Sequence, residues 1–270
     1  MFNYQIIIEY DGTNFAGWQK QKNDPSVQQS IEIYFSKILK EKIKLYGSGR
    51  TDSGVHATGQ SAHFYTKVKI NDKFLFLNSA NFFLNKKKIS ILKINDKKIK
   101  FHARFSAKKR EYRYSIVNRI APLSLEPNRA WHIKSYLNLK LMKKAANLLK
   151  GKKDFSTFRA SSCNAKSPIK TLEEARLKKT GEKIVIIFKS KSYLQNQVRS
   201  MVGCIKYVGE GKWNLKKFNS IIKSKERINC APPAPACGLF LTRVYYWPYY
   251  FRPYFFNEFK DIKNIDLKFL

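Results

Sequence analysis

Gly47-Ser48-Gly49-Arg50-Thr51-Asp52-Ser53-Gly54-Val55-His56-Ala57 lies between two β-rich stretches, residues 43–46 and 60–68. In the second of these Ala62, Phe64 and Thr66 alternate with polar neighbours, the two-residue period of a half-buried strand. The glycine run therefore joins strand to strand. Its spacing, G-x-G-x-x-x-x-G, superficially suggests a phosphate-binding loop, but no helix follows to aim an N-terminus at a pyrophosphate. A dinucleotide-binding fold is excluded on that ground, and a layered fold with hairpin-like strand pairs is indicated.

Working outward, Phe2–Tyr10 is apolar, β-rich and closed by the turn pair Asp11-Gly12, so it reads as a strand. Ser26-Val27-Gln28-Gln29 has the spacing of a capping box and leads into Val27, Ile31, Tyr34, Phe35 and Ile38 at helical intervals, which predicts a helix to about Lys40. Asn71 caps a second predicted helix carrying Phe74, Leu75, Leu77, Phe82 and Phe83, and residues 88–94 follow as a strand. The order then repeats. Residues 108–117 form a strand, and Asn138 caps a helix with Leu141, Met142, Ala145, Leu148 and Leu149 that ends at Gly151. Residues 171–179 and 183–189 are strands, Leu194 to Ile205 mark a helix, a further helix starts at Asn214, and residues 238–246 close the series.

Both halves thus read β-α-β-β-α-β, the ferredoxin-like order. The expected fold class is α+β, with two such halves whose mainly antiparallel sheets lie side by side and whose helices cover one face. The other sheet faces and the cleft between the halves are left for a ligand. The domain division is 1–105, 106–246 and an aromatic, basic tail at 247–270, whose two prolines and arginine argue against a membrane span or a central strand.

Fifty-three Lys and Arg residues against 19 Asp and Glu give the 270-residue chain a formal charge of +34. Charge on that scale points to a polyanionic partner, and the accompanying tyrosines, phenylalanines and arginines point to nucleic acid. Abundant Lys, Ile and Asn also fit an A/T-biased genome, which raises charge without selecting for binding. The cysteines Cys163, Cys204, Cys230 and Cys237 form no C-x-x-C pair and read as free thiols in a reducing cytosol. The four histidines have no H-x-x-x-H spacing, so no metal site is expected. No leader-like segment and no long apolar run is seen, which predicts a soluble, cytoplasmic protein without membrane contact.

Three clusters carry candidate chemistry. Arg50 and Asp52 are two apart and, in an extended segment, point to one face, where a nearby guanidinium keeps a partly dehydrated carboxylate anionic. That is the state a carboxylate nucleophile needs. The competing reading is a plain hairpin loop with a solvated Asp. In Arg110-Glu111-Tyr112-Arg113-Tyr114 strand alternation places Tyr112 and Tyr114 on one face and Arg113 on the other. Gln195-Asn196-Gln197-Val198-Arg199-Ser200-Met201-Val202-Gly203 alone would be an ordinary helix with a surface arginine.

The three clusters together resemble the TruA-type tRNA pseudouridine synthases, in order and over most of the chain from about Tyr10 to Val244. The glycine run is similar to the family's G-R-T-D-x-G-V-H-A signature, the strand to R-x-Y-x-Y and the helix to N-x-V-R-x-[IM]-V-G. The resemblance implies that Asp52 is catalytic, that Tyr112 packs on the target base, that Arg199 reaches the aspartate and that Leu241 lines the base pocket. Arg50 is placed with Arg199 as an ion-pair and positioning group. Segments 154–159 and 167–171 also match, without an assignable role. Implied as well are a homodimer with a cleft between α/β halves, no cofactor, and uridines at positions 38 to 40 of the tRNA anticodon arm as targets.

Pseudouridine formation detaches uracil at N1 and rejoins it through C5, with Asp52 acting either at C1′ as nucleophile or at C2′ as base. The base must first leave its stack, at a few kcal/mol. The alternative is a non-catalytic basic RNA-binding protein or RNA chaperone in which Asp52 is a turn residue. A nucleobase glycosylase shares the flipped base and the carboxylate but leaves free base and an abasic ribose.

Overall fold

The strand predicted at the N-terminus forms as β1, Phe2–Tyr10, and its Tyr4, Ile6, Ile8 and Tyr10 are all buried on one face. A computed structural model describes residues 1–125 and 127–246; the expected tail at 247–270 lies outside the described residues, and Tyr245 and Tyr246 before it end the last strand. The elements that follow β1 are α1 (Val27–Leu39), β2 (Leu45–Gly47), β3 (His56–Thr66), α2 (Lys73–Leu84) and β4 (Ile89–Lys97). After them come β5 (Ala107–Asn118), β6 (Trp131–Ile133), α3 (Leu139–Leu148), β7 (Gly151–Asp154), β8 (Ile169–Thr180), β9 (Lys183–Ser190), α4 (Gln197–Gly209), α5 (Leu215–Ser224) and β10 (Leu239–Tyr246).

Among the described residues, five helices and one large, mostly antiparallel sheet make this an α+β fold. The sheet runs β4-β1-β3-β10-β5-β9-β8-β7, with β2 also on β3 and β6 on β5. Only β10 with β3 and β5 with β6 are parallel pairs among these strands. Chain order explains little of this; β10 returns from the C-terminal part to fill the seam between β3 and β5.

Helix starts follow the chemistry of their first turns. The side chains of Ser26, Asn138 and Asn214 accept from the backbone N–H of Gln29, Leu141 and Lys217, as their sequence positions predict. At α2 the cap is Asp72 and not Asn71: its Oδ1 accepts from Leu75 N at 2.8 Å, the N–H three residues on. Two adjacent cap residues compete there, and the one in register with Lys73 as first helical residue wins. The predicted stop at Gly151 is displaced too. The helix ends at Leu148, and Gly151, at φ +99°, opens β7.

Two cores result. In one, α1 and α2 press Val27, Ile31, Phe35, Phe76 and Leu84 onto Tyr4, Ile6, Ile8 and Phe64. Phe35 meets Phe64 and Phe76 edge-on, at 5.2 and 5.0 Å between ring centroids. Truncating such a fully buried ring costs about 3–5 kcal/mol. In the other core, α3, α4 and α5 pack Met142, Ala145, Met201, Val202, Ile205 and Phe218 onto Tyr114, Ile116, Ile186 and Phe188. Tyr112 packs against both cores.

One expectation is corrected. The sheet face away from α1 and α2 is not open over β3, because residues 98–105 lie across it. Ala103 N donates to His63 Nδ1 at 3.1 Å, and the Tyr246 hydroxyl donates to Ala103 O at 2.8 Å and lies 2.9 Å from the Ser61 hydroxyl. That is why Ser61 and His63 are buried in a strand whose polar positions were expected to face solvent. No helix among the described residues is long and apolar enough to cross a membrane.

Candidate active site

Asp52 sits on the loop between β2 and β3, and the loop is held at almost every residue. Ser48 N donates to Ser61 O at 2.7 Å, Gln60 Nε2 to Gly49 O at 2.9 Å and Trp18 N to Thr51 O at 3.1 Å. The buried hydroxyls of Tyr10 and Thr51 meet at 2.8 Å, directly beside Asp52 in sequence. A turn at Ser53-Gly54 is closed by Val55 N donating to Asp52 O at 3.2 Å, with Gly54 at φ +73°, a conformation that favours glycine. Ser53 Oγ donates to Phe15 O at 3.1 Å. The aspartate is thus presented by a fixed backbone from which its own side chain projects.

The expected partners are treated differently. Asp52 is largely buried, which pushes its carboxyl above the usual value, and the charge of Arg199 pulls part of that rise back. Arg199 lies in the first turn of α4, where its Nε donates to Ala234 O at 2.7 Å and an Nη to Asn196 Oδ1 at 3.3 Å. The Tyr112 hydroxyl is pushed far up, first by burial and then by the charge of Asp52, and Arg110 opposes this. Asp52, Tyr112 and Arg199, from a loop, a strand and a helix, therefore share one electrostatic environment.

Tyr112 on β5 stands opposite Leu241 of β10 on one side and Phe188 of β9 on the other, and Leu241 in turn pairs with Ala57 of β3. Leu241 is completely buried, an apolar wall beside the tyrosine. The Tyr193 ring meets Tyr112 edge-on at 5.1 Å.

Arg50 is not brought to the carboxylate. It is exposed, and no ion pair joins it to Asp52 among the described residues. The two-residue alternation that predicted a shared face needs an extended segment, and this one bends at Ser48-Gly49 and turns at Ser53-Gly54. The charge that acts on Asp52 is that of Arg199, with no direct ion pair between them among the described residues.

Other residues at the site had no role assigned from the sequence, although Arg110 opens the R-x-Y-x-Y strand and His56 lies within the glycine-run signature. Arg110 donates from its guanidinium to Ser48 O at 2.7 Å, Arg104 O at 2.8 Å and Lys191 O at 2.6 Å, tying the Asp52 loop to β5 and to the segment before α4. His56 accepts at Nδ1 from Gly12 N at 3.0 Å and donates from Nε2 to Asn128 O at 2.8 Å. This pattern requires the neutral ring, and burial lowers its pKa accordingly. His56 also stacks on Phe240 at 4.7 Å. It is a fastener of the loop end. Tyr10 and Tyr193 look like core aromatics in the sequence; only the fold puts their rings beside Thr51 and Tyr112.

A model of the tRNA pseudouridine synthase family matches residues 6–106 and 145–247. The tRNA pseudouridine synthase A of Pelagibacter ubique is 58% identical over 246 residues, covering 91% of this chain and 100% of that protein. Those of Neorickettsia sennetsu and Parvibaculum lavamentivorans are 44% and 42% identical, each over at least 90% of this chain and 99% of the relative.

Proposed function

This chain belongs to the tRNA pseudouridine synthase family, and from that premise we propose that Asp52 is the residue through which it acts on a flipped-out uridine. The enzyme isomerises uridine in tRNA to pseudouridine. Substrate and product have the same atoms: the N1–C1′ bond breaks, a C5–C1′ bond forms, and the proton on C5 is replaced by one on N1. What the protein must supply is a group that acts at the ribose, a platform that keeps the detached uracil from leaving, and an environment that excludes water.

Asp52 suits the first role whether it attacks C1′ or takes the proton at C2′. A carboxylate whose pKa is raised by burial is poorly solvated, and its electron pairs are more available than those of a hydrated one. Arg199 keeps that cost bounded by opposing the rise. Tyr112 suits the second, because base stacking on an aromatic ring contributes about 1–3 kcal/mol, and Tyr193 braces its ring. Leu241 suits the third as a dry wall. Arg50, exposed on the same loop, is available to the RNA. The single observation that carries this reading is that the charge of Asp52 is felt by Tyr112 and that of Arg199 by Asp52, although these residues lie 60 and 147 positions from Asp52 in the chain.

The same reading takes the sheet as two ferredoxin-like halves, residues 1–105 and 106–246. The neighbours β4-β1-β3-β2 and β10-β5-β9-β8 are each in the spatial order that fold requires. The target uridines are those at positions 38 to 40 of the anticodon arm, the working state is a homodimer, and the compartment is the cytoplasm; family resemblance motivates all three. The +34 charge suits the grip on tRNA. Six phosphate contacts would give a log–log salt slope of roughly −4 to −5.

Replacing Asp52 by Asn tests the assignment. Tritium release from 5-tritiated uridine in tRNA is expected to vanish while tRNA binding persists; equal release by the variant would overturn it. Nuclease digestion and chromatography of the product RNA then locate the pseudouridine.

A further inference from the structure

Cys204 and Cys230 meet with their sulfurs 3.4 Å apart, one buried in α4 and the other half-exposed on the segment that follows α5. The segment from 230 to 234 runs as a strap along α4. Ala234 N donates to Arg199 O at 3.0 Å, and Arg199 Nε donates back to Ala234 O at 2.7 Å. Midway, Gly203 is in such close contact with the strap that a Cβ there would overlap the Pro232 carbonyl oxygen. The two thiols close the other end. The strap that holds the Arg199 guanidinium is therefore pinned at its far end by a cysteine pair.

The surroundings of Cys230 are those of a reactive thiol. The Cys204 thiol, the Arg227 guanidinium and the Ser200 hydroxyl all favour its thiolate, and they outweigh burial, so its pKa lies below the ordinary value while that of Cys204 is pushed well above. Ser200 Oγ and one Arg227 Nη are buried without a hydrogen-bond partner. Buried donors left unsatisfied call for an explanation, and an anion on the Cys230 sulfur supplies the acceptor that both lack.

We propose that Cys230 is a peroxide-reactive thiol with Cys204 as its resolving partner, and that their disulfide retunes the strap that holds Arg199. The Cys230 thiolate attacks one oxygen of hydrogen peroxide or an alkyl hydroperoxide, forming a sulfenic acid and releasing hydroxide or alkoxide. The Cys204 sulfur then displaces the sulfenic oxygen; an S–S bond forms and, with the Cys204 proton, water leaves. Two thiols lose two electrons and the peroxide gains them. Closing from 3.4 Å to the roughly 2.05 Å of a disulfide draws the two sulfurs about 1.3 Å closer and links strap and helix covalently. That movement bears on the residue that opposes the burial of Asp52. The effect on turnover rests on the role proposed for Arg199; the thiol chemistry does not.

The experiment treats the reduced full-length enzyme with increasing hydrogen peroxide and maps its peptides without reduction. A Cys204–Cys230 linkage is expected before modification of Cys163 or Cys237, together with a fall in turnover of about tenfold that dithiothreitol reverses. In Cys204→Ser the Cys230 sulfenic acid is expected to persist and be trapped by dimedone. Cys230→Ser should keep its basal turnover and resist peroxide. Oxidation of Cys163 or Cys237 first, or no linkage in the wild-type enzyme, overturns the proposal. A linkage that leaves turnover unchanged overturns the coupling to Arg199. The peptide map reads the pair without reference to catalysis, so an active Asp52→Asn variant would sink the catalytic assignment and leave this chemistry standing.

Discussion

Asp52, half-buried, and Glu111, buried, are two carboxylates that desolvation acts on, one coupled through its charge to Tyr112 and the other on the residue before Tyr112 in β5. Glu111 is 3% exposed yet fully partnered. It accepts from Tyr245 Oη at 2.7 Å, Arg113 Nε at 2.9 Å and Thr242 Oγ1 at 3.2 Å, and Lys189 Nζ lies 3.6 Å away. Burial alone would raise its pKa, but the hydrogen bonds from Tyr245 and Arg113 and the charges of Arg113 and Lys189 more than offset this and lower it. Asp52 has the burial with only Arg199 against it, and its pKa is raised. One carboxylate is spent on holding three strands together. The other is kept desolvated and underpartnered, a costly state that folds retain where chemistry requires it.

The largest expected effect breaks the comparison at Asp52. Asp52→Asn should lower the rate of tritium release by roughly 10⁴-fold or more, while the thermal midpoint stays level or rises, because the substitution removes a charge that burial disfavours. A variant that lost activity and stability together would mean that Asp52, like Glu111, is structural. Glu111→Ala is the converse. Leaving Arg113 without its counter-charge and the Tyr245 hydroxyl without its acceptor should cost about 3 kcal/mol, a drop of several degrees in the thermal midpoint, with turnover per folded molecule near the wild-type value; Lys189 keeps its ion pair with Glu174. Denaturant titration and single-turnover kinetics on the same samples separate the two.

The two carboxylates also differ in how far they could be read from sequence. Asp52 is found because the bends, the glycines and the arginine around it are contiguous. Glu111 draws its partners from positions 113, 189, 242 and 245, and nothing in a linear pattern says that β9 and β10 flank β5. Arg110 opens the matched R-x-Y-x-Y strand, but its partners were unreadable for the same reason, since its three acceptors, the carbonyls of Ser48, Arg104 and Lys191, leave no trace in side-chain identity. Arg50 was misread as a partner of Asp52 because strand alternation was extended into a bent loop. Helix starts at Ser26, Asn138 and Asn214 were legible because capping is a local hydrogen bond. β6 and β7, of three and four residues, are too short to show a period and exist only because β5 and β8 offer them edges.

Tyr112 feels the charge of Asp52, so it tests whether their shared surroundings serve to bind the base. Tyr112→Ala should weaken transition-state stabilisation by about 1–3 kcal/mol, the value of one stacked base, and Tyr112→Phe should cost less than a third of that because the ring is retained. If the phenylalanine variant is as impaired as the alanine one, the hydroxyl next to Asp52 acts in the reaction itself and the stacking role is secondary.

The smallest effect, and the sharpest in sign, is on pH. Asp52 has a folded pKa above its ordinary 3.8, so its cost to stability is fully present above the folded pKa and is relieved as pH falls towards 3.8. Asp52→Asn mimics the protonated group; its gain in stability should be full near neutrality and gone by about pH 4. Glu111 has a folded pKa below its ordinary 4.5, so its contribution is fully present above 4.5 and is lost as pH falls through the folded value. Both effects shrink in acid, but from opposite signs: Asp52→Asn starts as a gain near neutrality and Glu111→Ala as a penalty. Urea midpoints of both variants from pH 7 to pH 3 give the two curves. Curves of the same sign at pH 7 would mean that the two carboxylates share one environment, and that the hydrogen-bond partners of Glu111 do not set it apart.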